Sequence, residues 1–122
     1  MSQSREISEV SVDVVIPVLN EAHVLETSMT KLRTFLLGNA GFKWQIVIVD
    51  NGSTDGTLDV AKRLAGQYPD MRWLHLNVKG RGRALRETWN RSTADIVAYM
   101  DVDLSTELAA LPKLIHAIAK EG

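Results

Sequence analysis

The sequence predicts an α/β fold, a mainly parallel β-sheet with helices on both of its faces. Four short runs rich in β-branched and aromatic residues alternate with segments of helical periodicity, and a polar cluster follows each run. Such alternation is typical of βαβ units, which form parallel sheets through right-handed crossovers. The 122 residues, 45% of them hydrophobic, are enough for one domain with one core.

The predicted strands have the length and composition of buried strands. They are VDVVIP (residues 12–17), WQIVIVD (44–50), MRWLHLN (71–77) and DIVAYMD (95–101). We expect a polar N-terminal extension over residues 1–11 and a single domain over residues 12–122. A strand order of 3-2-1-4 would place the fourth strand at an edge. Because an unpaired apolar edge favours association, we expect a homodimer or aggregation.

Helices are predicted between the strands and after the last one. Asn20 is a suitable N-cap for the first helix, Gly38 can end it, and Pro112 suits the first turn of the last helix. The apolar stripes that predict the four helices are Leu25, Met29, Leu32 and Leu36; Leu58, Ala61, Leu64 and Ala65; Ala84, Leu85, Thr88 and Trp89; and Leu114, Ile115 and Ile118.

Composition and charge narrow the classes of function. Because 14 basic and 15 acidic residues leave a net charge of −1, there is no global attraction to nucleic acid or to an anionic membrane, and any such signal must be local. The absence of cysteine excludes disulfides and thiolate metal sites. No stretch has the pattern of a signal peptide or of a transmembrane helix, so we expect a cytoplasmic location. Trp44, Trp73 and Trp89 are expected to be packing residues, and the three histidines are assigned no chemistry.

The four polar clusters are predicted to meet at one edge of the sheet. They read PVLNE, DNGSTDGT, NVKGRGRALRE and DVDLST, each after one predicted strand. Each alone is explained by helix caps, turns or a solvated helix face. Ligands of parallel sheets bind beyond the carboxyl ends of the strands, so four clusters on one rim indicate a binding site.

Asp101 and Asp103 are the strongest chemical signal. In an extended segment both carboxylates point the same way while Val102 points toward the core. Two carboxylates that close together need a neutralising cation. Mg²⁺ or Mn²⁺ suits the position, because these ions bind one or two carboxylates together with substrate phosphates.

A basic segment precedes this pair in the sequence. Residues 79–91 hold five basic side chains and one acidic one, a local charge of +4 beside a glycine-rich turn. Phosphate is the expected partner, because the freed backbone N–H groups of Gly80 and Gly82 can join the side-chain cations. Nucleic acid is the rival partner, but exposed aromatic residues between the cations are not expected, and no nucleic-acid partner is predicted.

Four segments carry a resemblance to a known family. VVIPVLNE, IVIVDNGSTDGT, GRGRALRE and YMDVDLST, in this order, resemble the family 2 glycosyltransferases, most closely the branch of dolichyl-phosphate and polyprenyl-phosphate mannose or glucose synthases. The resemblance covers nearly the whole chain from Val12 onward. It implies a GT-A fold, a UDP- or GDP-sugar donor and a divalent metal. It also implies that an acceptor-binding half should follow Gly122.

The resemblance assigns the nucleoside to the first two clusters. It implies that the backbone of Pro17 and Leu19 surrounds the nucleoside, that Glu21 binds the ribose hydroxyls, and that Asp50 accepts a hydrogen bond from the base. A carboxylate can accept from a ring N–H of uracil or of guanine, so the base remains open.

The last two clusters are assigned to phosphate and metal. The resemblance implies that Arg81 and Asp101 contact the nucleotide and that Asp101 and Asp103 are the catalytic metal ligands. Ser105 stands where this branch has a glutamine, and it is a third candidate ligand through its hydroxyl or through water. The family usually has lysine at Arg81, a small residue at Arg83 and glycine at Thr88, so this chain departs from the pattern at these three positions.

For the complete protein, the resemblance implies inverting transfer from the nucleotide sugar to a polyprenyl or dolichyl phosphate. Such a reaction belongs to glycan or cell-wall biosynthesis at the cytosolic membrane face. The chain alone is expected to bind donor without transferring sugar. The alternative is a non-catalytic nucleotide-binding module or a fragment that needs a partner. A receiver-type signalling domain modified at Asp50 is more remote, and a dehydrogenase lacks its glycine fingerprint after the first strand.

Overall fold

The computed structural model describes residues 6–104 and 108–121. Four strands form one sheet: β1 (Ser11–Val18), β2 (Lys43–Asn51), β3 (Met71–Leu76) and β4 (Ile96–Tyr99). All pairings between them are parallel, and the strand order is β3-β2-β1-β4. The predicted α/β class and the four strands are therefore confirmed, the strand order is the one considered above, and β4 is shorter than the predicted strand over residues 95–101.

A helix follows each strand. The helices are α1 (Ala22–Asn39), α2 (Thr57–Gln67), α3 (Arg81–Arg91) and α4 (Ala110–Glu121), and a short 3₁₀ helix, Ile7–Glu9, precedes β1. None of the helices within the described residues is both long enough and apolar enough to cross a membrane.

The register of β1 determines where the loops open. Along its whole length β1 pairs with residues 43–50 of β2, and residues 12–15 of β1 also pair with β4. The carboxyl ends of β1, β2 and β4 therefore lie at the same edge of the sheet, and the loops that leave them are neighbours.

The core has two layers, one on each face of the sheet. Alternate β1 residues such as Ile16 pack with α1, α2 and α4 in the larger cluster. Val15 points the other way and packs with Val49 and Ala84 of α3 in the smaller one. Helices thus cover both faces, as predicted, with three on one face and one on the other among the described residues.

The predicted ends of α1 are wrong. Glu21, not Asn20, is the N-cap, and its side chain makes no capping hydrogen bond. Asn20 instead adopts the left-handed conformation, with φ 55°. The helix continues through the exposed Gly38, and the chain turns at Gly41, whose φ is +73°. A glycine on the solvent side of a helix is tolerated, whereas the positive φ at the turn favours glycine.

Two tryptophans that were expected to pack are exposed. Trp89 is 64% exposed because the buried side of α3 is the narrow stripe of Ala84 and Thr88. Trp73 is 41% exposed on β3, with the Lys62 ammonium 4.9 Å from its ring centre. Trp44 does pack against the larger cluster.

Candidate functional site

A cleft of about 840 Å³ opens at the carboxyl end of the sheet. The carboxyl ends of β1 and β2, the loops after β1 and β4, and the starts of α1 and α3 contribute to it. Its lining residues are Pro17, Val18, Leu19, Glu21, Val24, Ser28, Val49, Asn51, Gly80, Arg81, Ala84, Asp101, Val102 and Asp103. Six of the seven predicted site residues within the described ranges are therefore in one cleft, and Asp50 is the exception.

The loop between β1 and α1 is held by hydrogen bonds to the loop after β2. The Asn20 side-chain oxygen accepts from the backbone N–H groups of Thr54 (2.8 Å) and Asp55 (3.2 Å). The backbone N–H of Asn20 donates to the Ser53 hydroxyl at 2.9 Å. The left-handed conformation of Asn20 directs these groups across to the neighbouring loop, which is why it does not cap α1.

Thr57, which was not among the predicted site residues, holds the backbone of Glu21 in place. The Glu21 backbone N–H donates to the buried Thr57 hydroxyl at 2.8 Å, and this hydroxyl in turn donates to Asp55. Asp55 also accepts from the backbone N–H of Ala22 at 3.3 Å. The only sequence signal was the phrase STDGT, in which Asp55 and Thr57 have the spacing of a local Asx turn.

The Asp55 carboxylate is the acceptor at the centre of this network. The Thr57 hydroxyl lowers its pKa below the ordinary value, against a smaller opposing effect of burial, and backbone N–H groups help. The stabilisation from this pKa shift is therefore fully present above the ordinary aspartate pKa and is lost as the pH falls through the lowered value.

Asp50 lies beside the cleft rather than in its lining. The carboxylate is only 1% exposed, and its Oδ2 is 2.9 Å from Nδ1 of His75. Its Oδ1 has no hydrogen-bond partner in the described part of the chain. Asp50 and His75 are register partners on β2 and β3, so the contact follows from the strand pairing. No chemistry was predicted for His75, because the sequence alone does not reveal the register of β3 against β2.

The aspartate pair lies on a turn, which corrects the predicted extended geometry. β4 ends at Tyr99, and the Leu104 backbone N–H donates to the Asp101 carbonyl at 2.9 Å. Both aspartates nevertheless line the cleft, while Val102 is buried in the larger core. Val102, between the two aspartates, is held in the core, so the turn leaves both carboxylates on the cleft side.

Arg81 reaches across the cleft to this turn. Its Nη2 donates to Oδ1 of Asp101 at 2.8 Å, and both side chains are more than half exposed. An exposed pair of this kind contributes at most about 1 kcal/mol, so a ligand can replace it at little cost. Gly80, just before α3, has φ +89° with open space around it, so the backbone conformation requires the glycine.

The residues fit a metal that arrives with its own ligands. No group of three His, Cys, Asp or Glu side chains within residues 6–104 and 108–121 is arranged to hold an ion alone. Asp101 and Asp103 offer two carboxylates, and phosphate oxygens can complete the coordination of Mg²⁺ or Mn²⁺. Ser105, the third predicted ligand, lies outside the described residues.

Comparison with known proteins identifies the family and the fold. The family model described as Glycosyl transferase family 2 matches residues 13–122. The chain belongs to glycosyl transferase family 2. The family expected from the sequence motifs is thus confirmed, and so is the GT-A type of fold, because the solved structures that superpose on this family 2 chain are glycosyltransferases.

Curated relatives of this family 2 chain are longer proteins. It is 33% identical to the dolichol-phosphate mannosyltransferase of Pyrococcus furiosus over 107 residues, 88% of this chain and 30% of the relative. It is 31% identical to glycosyltransferase AglD of Haloferax volcanii over 89% of this chain and 18% of the relative. It is 27% identical to the dolichyl-phosphate beta-glucosyltransferase of Saccharomyces cerevisiae over 98% of this chain and 38% of the relative. The chain spans less than two fifths of each.

Solved structures share its fold. The mannosyltransferase PcManGT from Pyrobaculum calidifontis, in complex with GDP-Man and Mn²⁺, superposes with a TM-score of 0.68 and 26% identity, over 89% of this chain and 31% of that one. Glucosyl-3-phosphoglycerate synthase from Mycobacterium tuberculosis, in complex with UDP, gives a TM-score of 0.68 and 25% identity over 90% and 40% of the two chains.

The contact between Asp50 and His75 predicts a stability effect. The change His75→Ala should lower the free energy of unfolding by about 1–3 kcal/mol, because it leaves a buried carboxylate oxygen without its partner. Urea denaturation monitored by circular dichroism measures it. As a control, the change His23→Ala on the exposed side of α1 should alter stability by less than about 0.5 kcal/mol. Equal effects of the two changes would show that the contact contributes nothing.

Proposed function

We propose that the cleft binds a UDP- or GDP-linked sugar together with Mg²⁺ or Mn²⁺, and that the longer protein transfers the sugar with inversion. The observation that carries the proposal is the convergence of Glu21, Arg81, Asp101 and Asp103 from three separate segments in one cleft. Two structures with the same fold support it, since one is in complex with GDP-Man and Mn²⁺ and the other is in complex with UDP.

The nucleoside is proposed to lie over the loop after β1. Pro17 and Leu19 offer backbone and apolar surface there, and Glu21 is held at the cleft by its backbone contact with Thr57, ready to accept from two ribose hydroxyls. Asp50 is proposed to accept from a ring N–H of the base. Its Oδ1, which has no partner among the described residues, is the atom available for that bond.

The diphosphate is proposed to lie between α3 and the aspartate turn. Arg81 can leave Asp101 and donate to phosphate oxygens, because its present partner is an exposed carboxylate. Asp101 and Asp103 are proposed to hold the metal, with Ser105 as a third ligand. When bound, the metal stabilises the negative charge that develops on the departing nucleoside diphosphate.

The proposed acceptor is a polyprenyl or dolichyl phosphate. A phosphate acceptor is already an anion at neutral pH and attacks without a general base, so positioning and charge stabilisation supply most of the catalysis. The names of two relatives, a dolichol-phosphate mannosyltransferase and a dolichyl-phosphate beta-glucosyltransferase, support this choice. We propose that the reaction takes place at the cytosolic face of a membrane.

Nucleotide binding is predicted to depend on metal through Asp103. In calorimetric titrations with UDP and GDP, each with and without manganese, Asp103→Asn should abolish the manganese-dependent gain in affinity. Removing a residue that only contacts a metal ligand typically lowers metal affinity ~10–100-fold. Removing a direct ligand should therefore lower the manganese-dependent affinity by at least as much. The melting temperature should hardly change, because Asp103 is exposed. The control is Asp59→Asn, which removes the same charge from an exposed residue of α2 outside the cleft and should leave the manganese effect unchanged. Equal manganese effects in wild type and Asp103→Asn would refute the metal assignment.

Sugar transfer is predicted to require more than these residues. The alternative function, a nucleotide-binding module that needs a partner or a further segment, is favoured by the small share of each relative that the chain spans. Incubated with UDP-glucose or GDP-mannose, manganese and a polyprenyl phosphate, the chain should give no glycolipid and at most slow donor hydrolysis. Glycolipid formed at about 1 per second or faster would show an acceptor site within these residues.

Self-association through β4 is a further proposal. Within the described part of the chain β4 pairs only with β1, and beside it an apolar groove of about 360 Å³ is lined by Leu114 and Ile118 of α4. Light scattering should show a mass that rises with concentration. Leu114→Lys should shift it toward the monomer, and Leu37→Lys on exposed α1 should not. A constant monomer mass for the wild type would contradict the proposal.

A further inference from the structure

One side of α3 is basic, aromatic and turned away from the sheet. Ala84 and Thr88 form its buried stripe, so the opposite side faces solvent. Arg83, Arg86 and Trp89 are exposed there, and we call these three residues the α3 outer face. Arg86 and Trp89 are three residues apart and therefore neighbours on the helix surface.

The two arginines of the α3 outer face differ in their contacts from the other two arginines of the helix. Arg83 and Arg86 form no ion pair within residues 6–104 and 108–121, whereas two other arginines of the same helix are paired. Arg81 contacts Asp101 in the cleft, and Arg91 contacts Glu87 at 3.2 Å. The basic residues of α3 are therefore divided between two places: Arg81 lies at the cleft, while Arg83 and Arg86 face solvent on the outer side of the helix.

Trp89 gives this face an apolar component. An indole that is 64% exposed on a helix is unusual, since tryptophan is highly buried on average. Its ring is apolar and its N–H is polar, so it is well suited to the boundary between lipid chains and headgroups. Arginine side chains next to it can extend toward phosphate groups while their stems lie on the apolar surface.

The position of the helix connects the face to the cleft. Gly80, Arg81 and Ala84, at the start of α3, line the cleft, while the outer face begins at Arg83. Any surface that contacts the outer face therefore lies next to the mouth of the cleft. A reaction between a soluble donor and a lipid-linked acceptor requires the cleft to lie near the membrane surface, and this arrangement would place it there.

We infer that the α3 outer face binds the surface of an anionic lipid bilayer. The choice of bilayer over nucleic acid rests in part on the proposed function, which places the acceptor in a membrane. It rests also on charge: the chain as a whole carries −1, so attraction must act locally, within the ~8–10 Å over which salt screens charges. One exposed indole among two cations provides an interfacial anchor, whereas stacking along a strand of bases requires a series of aromatic residues.

Vesicle co-sedimentation without nucleotide tests the inference. The chain should sediment with vesicles of phosphatidylcholine and phosphatidylglycerol, less at higher salt, and not with phosphatidylcholine alone. The double change Arg83→Gln and Arg86→Gln should weaken binding about 30-fold, since each basic residue near an anionic surface contributes about fivefold. Trp89→Ala should weaken it as well. The control of equal charge is Lys31→Gln with Lys113→Gln, two exposed lysines on α1 and α4, across the sheet from α3, and it should change binding little.

Three outcomes would overturn the inference. The first is that the chain does not bind anionic vesicles. The second is that the double lysine change weakens vesicle binding as much as the double arginine change. The third is that the chain binds duplex RNA but not vesicles at the same salt, which would assign the face to nucleic acid. Because nucleotide is absent, a chain that binds nucleotide but not vesicles refutes this inference alone. A chain that binds vesicles but not nucleotide refutes only the proposed function.

Discussion

The pairing of β1 with strands on both sides is the constraint on which the rest of the structure depends. β1 is buried from Val12 to Ile16 and pairs with β2 on one side and β4 on the other. Its register therefore determines where both neighbouring strands end along the direction of the sheet. Because all the pairings are parallel, the segments that follow β1, β2 and β4 must leave at one edge. The cleft is a direct consequence of this arrangement.

Hydrogen bonds between loops then give the cleft its shape. The loop after β1 would be free to move if only the strands held it, but Asn20 and Thr57 connect it to the loop after β2 through side-chain oxygens. Asp55, in the same network, accepts from the backbone N–H groups of Ala22 and Thr57, the first residues of α1 and α2, which have no partner inside their own helices. The same contacts therefore stabilise two helix ends and hold Glu21 at the cleft.

The electrostatics of the molecule are unevenly distributed over its surface. Asp101 and Asp103 lie at a rim where Arg81 pairs with Asp101, while Asp50 is buried against His75. Basic residues of α3 that do not serve the cleft point to solvent beside Trp89. One short helix thus contributes to the cleft at its first turn and to an outer surface beyond it, which places the proposed donor site and the proposed membrane surface side by side.

The sequence by itself determined the α/β class, the four strands, the family and six residues that line the cleft, because alternation of short strands with helical stripes and the order of four motifs are local signals. Only the tertiary structure decided the contact of Asp50 with His75, the role of Asn20 between two loops and the exposure of Trp89. Each of these depends on which element lies opposite, and strand register, loop packing and the number of helices on a sheet face are set by contacts between residues distant in the chain. Periodicity along the chain carries no record of those contacts.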